Sequence, residues 1–175
     1  MTDRLGRVRA LDPVVENLQL AVSQVRSAGL REALSGAWLG HPLHPMLTDV
    51  VIGTWTSAAL VDLIGGRQGR PAADRLVAAG VFAAPPTLAS GWSDWLDAGT
   101  ADRELARIGV VHAVSNGAAF ALHVASLRAR LRGDRARGVL LSFAGLGLAG
   151  AGGYLGGHLS YVHGSRVERS GTDLA

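Results

Sequence analysis

Residues 40–64 read GHPLHPMLTDVVIGTWTSAALVDLI, two imidazoles and a carboxylate at the mouth of an apolar run. From Pro45 to Ile64 the run is close to the roughly 20 residues that cross about 30 Å of hydrocarbon. Pro45 suits a first helical turn, where a missing N–H costs nothing. The stretch predicts a membrane-spanning helix with histidines at its start. Three more apolar runs follow, at about 72–95, 105–127 and 139–162, joined by short polar turns. The pattern predicts an all-α fold, an integral membrane up-down four-helix bundle preceded by an N-terminal interfacial amphipathic helix over residues 13–34. The expected layout is an amphipathic segment over 1–36, a four-helix transmembrane domain over 37–165 and a polar tail over 166–175.

Composition agrees with a bilayer-embedded chain. Of 175 residues, 48% are hydrophobic and 24 are glycine, while the 18% that are charged gather between the apolar runs. Every one of the 17 basic residues is arginine. They flank apolar runs instead of lining one polar face with interleaved aromatics, which argues against nucleic acid as a partner. Cysteine is absent, excluding disulfides and thiolate metal sites, so any metal must be held by nitrogen and oxygen. The N-terminus has no compact apolar core followed by a small-residue cleavage site, so the first span is expected to direct insertion itself.

Within this layout, Gly65, Gly66, Arg67, Gly69, Arg70 and Pro71 read as a polar turn, and Pro85-Pro86 as a break at the centre of the second span. Gly152 with Gly156 and Gly153 with Gly157 are small-xxx-small pairs that admit close approach of a helix or a flat cofactor. The segments after the first and third spans hold eight arginines, counting Arg75 at the start of the second span, and by the positive-inside rule that side is expected to be cytoplasmic, with both termini and the histidine-rich end outside. The lipid bilayer is thus the first expected partner.

Alternating spans bring the starts of the first and third, and the ends of the second and fourth, to one membrane face. That face collects His41, His44, Asp49, Asp94, His112, Asn116, His158 and His163. Ionisable groups in a membrane are costly and usually mark function. One reading is a b-type haem with His112 as one axial ligand and His44 or His158 as the other, and with Asp49, Asp94 or Asn116 fixing the imidazole tautomers. Another is a non-haem iron, copper or zinc site using His41, His44, His112 and His158 with Asp49 or Asp94. A third is a cofactor-free anchor or assembly subunit, and transport is a weaker fourth because no inverted repeat is apparent. His123, about 16 Å along the third span from His112, is read as structural. Asp62 is read as a solvated end residue beside Arg67, and Trp55 as core packing.

The GHPLHP stretch, the GWSDW end of the second span, HAVSN at 112–116 and the GGYLGGHLSYVHG close of the fourth resemble the bacterial membrane domain of unknown function 2231, over about residues 36–166. The resemblance implies His41, His44, Asp94, His112, Asn116 and His158 as motif positions. It also implies a bacterial inner-membrane location and redox company, since similar chains are fused to or encoded with Rieske iron–sulfur or cytochrome c domains. No such domain is expected within these 175 residues, and an electron partner is expected to be a separate protein.

Overall fold

A computed structural model describes residues 2–23, 28–99 and 102–161, and every element among them is helical. Three short helices, α1 (Thr2–Gly6), α2 (Asp12–Ser23) and α3 (Ala28–Ser35), precede four long ones. The long helices are α4 (Leu43–Ile64), α5 (Gly66–Gly99), α6 (Arg103–Leu131) and α7 (Arg135–Tyr161). Three segments are long and apolar enough to cross a membrane: Leu43–Ile64, Arg103–Leu131 and Arg135–Leu159. Helix α5 is not among them: its charge-free stretch 76–93 is diluted by Pro85, Pro86, Thr87, Ser90, Trp92 and Ser93.

Local chemistry explains most boundaries. Pro42 and Pro45 open α4, and the Asp102 carboxylate caps α6 by accepting from the Glu104 N–H at 2.8 Å. Gly66, at φ +53°, makes the α4–α5 connection a single-residue joint. The polar turn expected through Pro71 is therefore already helix. The chain also stays helical through Pro85-Pro86, where a break was expected, and the Thr87 hydroxyl donates to the Ala83 carbonyl at 2.8 Å. Both prolines are exposed, so their rings do not disturb the interior.

Helix α4 packs on α5, α5 on α6, α6 on α7 and α7 back on α4. Three contacts join α4 to α6 across the middle: His44 with His112, Trp55 with His123, and Asp62 with Arg130. Each pair is separated by 68 residues, so α4 and α6 run in the same direction in matching register. Their neighbours match too. A side chain added at Gly80 of α5 would strike Trp55, and one at Gly145 of α7 would strike His123. Gly91 lies against His44 as Gly156 lies against His112, and buried Ala84 has its counterpart in buried Ala149. The α4–α5 and α6–α7 hairpins are thus a parallel internal repeat about a central axis. The core gathers on that axis, with Val51, Trp55, Ala84, Ala119 and Ala149 buried together.

The inner layer corrects the reading of Asp62. Its side chain is fully buried, not solvated beside Arg67. Arg130, also fully buried, bonds Asp62, donates to Asp74 at 2.9 Å and donates through Nε to the Ser126 hydroxyl at 3.1 Å. Arg135 bonds the same two carboxylates. Two guanidinium groups face two carboxylates, and the four residues come one from each long helix.

Among the described residues the N-terminal segment carries α2 and α3 across the 13–34 stretch expected to be helical. It is packed on the ends of α5 and α6. Val15 is buried with Ala106 and Val110, beside Trp95. Arg107 donates to both oxygens of Asp12, at 2.7 and 3.0 Å, and to the Gly6 carbonyl at 2.6 Å. Buried Ser90 donates to the Leu34 carbonyl at 2.7 Å. The expected tail, with His163, lies outside the described residues.

Candidate functional site

The layer at the opposite end of the bundle from Asp62 and Arg130 is built by α4 and α6, with α5 and α7 as walls. The His44 and His112 rings are 6.2 Å apart, centroid to centroid, with planes at 82°. His44 Nδ1 lies 2.9 Å from the Thr87 carbonyl, and His112 Nδ1 lies 2.7 Å from the Gly152 carbonyl. A carbonyl only accepts, so the proton of each neutral ring is on Nδ1 and the lone pair on Nε2. Asn116 Nδ2 donates to His112 Nε2 at 3.1 Å.

This anchoring depends on glycine. A methyl added at Gly91 would lie 2.7 Å from His44 Cε1, and one at Gly156 would lie 2.8 Å from His112 Cε1. Gly152 is covered by the Asn116 amide. The glycines expected to make room for a flat cofactor are therefore occupied by the chain's own side chains, while Gly153 and Gly157 face open space.

The other expected residues are placed differently. His41, in the turn before α4, is exposed, as is Asp49. A helix turns about 100° per residue, so Asp49 is rotated by roughly 140° from His44 and leaves the axis. His158 lies beside α1, with its Nδ1 3.5 Å from the Thr2 hydroxyl, and Asp94 is half-buried on α5. Among the described residues no three histidine, aspartate or glutamate side chains converge as a metal site. The larger His/Asp cluster expected from the sequence reduces to a pair of imidazoles with one amide.

On the inner side of His44 is a cavity of about 40 Å³, lined from all four long helices. It has room for a few waters but not for a porphyrin, since even benzene occupies an engineered cavity of about 150 Å³. Below it, Trp55 and His123 stack with centroids 3.7 Å apart. His123 Nδ1 bonds the Ala119 carbonyl at 2.8 Å, and its Nε2 is buried without a hydrogen-bond partner. The sequence signal for the inner-facing residues of α6 is a 4-3-4-3-4 spacing, His112, Asn116, Ala119, His123, Ser126 and Arg130.

Comparison with known proteins gives one match. The family described as predicted membrane protein, DUF2231, matches residues 40–169, which takes in all four long helices and His44, Asn116 and His112. No curated protein and no solved structure matches the chain.

Proposed function

The chain belongs to the DUF2231 family of predicted membrane proteins, and from that premise we propose that it is a four-span bundle whose His44 and His112 hold a transition metal for electron transfer. The observation that carries this reading is the equivalence of the two imidazoles. They face each other across the axis of a repeat, each tied through Nδ1 to a carbonyl of its own hairpin. Metal-ligating histidines almost always donate their other N–H in this way, which fixes the tautomer and presents Nε2 to the metal.

Imidazole suits iron, copper and zinc, and iron or copper would supply one-electron chemistry. A single ion fits this layer better than haem b does, because a haem would require α4 and α6 to stand further apart. His44 and His112 would hold the metal through Nε2, for which the Asn116 amide, now 3.1 Å from His112 Nε2, would have to turn away. The closed cycle of helix contacts supports four spans. Arg67, Arg70, Arg75, Arg128, Arg132 and Arg137 gather at the end away from the histidines, and by the positive-inside rule this supports reading that end as the one that would face the cytoplasm of a bacterial cell. The electron partner, a Rieske or cytochrome protein, would dock at the opposite end.

The test is an absorbance spectrum with elemental analysis of the purified protein, beside His44→Ala, His112→Ala and His123→Ala. Stoichiometric iron or copper without a Soret band, lost in the first two variants and kept in the third, is the expected result. A Soret band with the same dependence would assign haem b. Metal-free, colourless protein from metal- and haem-replete cells would sink the redox reading and leave a cofactor-free anchor.

A further inference from the structure

The cavity on the axis is not used by the two imidazoles as ligands, and its chemistry is unlike that of a water site. Its lining includes Thr48, Thr87 and Asn116, but these polar groups are turned elsewhere. The Thr48 hydroxyl donates to the His44 carbonyl and the Thr87 hydroxyl to the Ala83 carbonyl, both at 2.8 Å, on their own helices. The Asn116 amide is engaged by His112. The N–H edge of Trp55 lies against Gly80. What remains toward the void is the His44 ring at one end, the Trp55 indole, whose buried N–H has no hydrogen-bond partner, and hydrocarbon from Val51, Ile52, Ala84, Phe120 and Ala149. The cavity is partly open, and its largely apolar lining favours an apolar guest over water.

The repeat shows that the void is built by both halves. Ala84 and Ala149 occupy equivalent places on α5 and α7, both buried, so each hairpin presents a small side chain where a larger one would close the space. Ile52 and Phe120 are equivalent in the same way on α4 and α6. At about 40 Å³ the cavity exceeds a single water, which needs roughly 10–15 Å³ by the same measure, and is too small for an aromatic ring.

We propose that this axial cavity is a seat for one neutral diatomic gas molecule, of the class of dioxygen, nitric oxide or carbon monoxide. Such molecules are small, apolar and concentrated in the bilayer interior that surrounds the bundle. Gas binding rests on the packing alone; delivery of the gas to a metal beside His44 rests on the function proposed above.

Xenon is a suitable probe, because it reports an apolar void whether or not metal is bound. Crystals of the full chain under xenon pressure should show one anomalous peak enclosed by Trp55, Ala84, Phe120 and Ala149. In solution, saturable binding seen by xenon NMR should weaken at least tenfold in Ala84→Leu and in Ala149→Leu, and persist in His112→Ala. An ordered water in that space, no peak there, or saturable binding unchanged in a folded leucine variant would overturn the proposal. The crystallographic position decides even if both leucine variants fail to fold. Xenon bound in protein that never takes up metal would keep the gas seat and remove the redox centre.

Discussion

Replacing Arg130 with methionine should destabilise the bundle more than any other single charge removal. Arg130 and Asp62 have no exposed side-chain surface. Arg130 also donates to Asp74 at 2.9 Å, Ser126 at 3.1 Å and Ser142 at 3.3 Å. Removing the guanidinium leaves two carboxylates sharing Arg135 alone, and breaking a buried pair in this way costs roughly 3–5 kcal/mol. At about 2–4 °C per kcal/mol for a domain of this size, the unfolding midpoint should fall by roughly 6–20 °C. Removing both members, Arg130→Met with Asp62→Leu, leaves the Asp74–Arg135 pair, which is 2.9 Å long, and no orphaned charge. The double variant should therefore be more stable than the single one. Thermal unfolding of both proteins in one detergent, followed by circular dichroism, measures the difference. A single variant within about 1 kcal/mol of wild type, the range of an exposed pair, would refute the reasoning. So would a double variant less stable than the single. Arg103–Glu16, 68% and 58% exposed, supplies the surface comparison.

Two further outcomes follow from the outer end. Gly156→Ala should push the His112 ring aside and cost about 1–3 kcal/mol by overpacking, whereas Gly153→Ala, with open space around it, should be close to neutral; thermal melts of the two variants check this. The Arg107 guanidinium, by its hydrogen bond, holds the Asp12 carboxyl below its ordinary value. A lowered folded-state value means that the stabilisation is complete above the ordinary carboxylate range and disappears as pH falls through the folded-state value. Amide protection in residues 2–23, taken as the exchange rate relative to its intrinsic value at each pH, should accordingly be high at neutral pH and fall below about pH 4, with no such step in Asp12→Asn. A loss of protection on raising the pH instead would contradict the pairing.

The helices were legible because each follows from a local property, an apolar run with a proline or aspartate at its start and a glycine or charge cluster at its end. The outer histidines were legible for the same reason, since depth along a span follows from counting residues. Azimuth was harder. His112 is level with His44, so Asp49, five residues further along α4, lies about 7.5 Å deeper as well as on another face, and both offsets follow from counting residues once the register is known. Asp62 and Arg130 lie 68 residues apart, and a short sequence window reads each as a loop-proximal charge. The repeat escaped for a related reason. Its halves agree in where rings and small residues fall, as in His44 and His112 or Gly91 and Gly156, while unlike residues such as Asp62 and Arg130 fill many equivalent places.

That last substitution governs which halves recognise each other. Two copies of the α4–α5 hairpin, meeting about the same axis, would bring Asp62 against Asp62 in a buried layer. Two copies of α6–α7 would bring Arg130 against Arg130. Either pairing buries like charges, and only the unlike hairpins neutralise each other. The inner layer is therefore a password as well as a clamp: each half of the chain accepts the other and refuses its own twin.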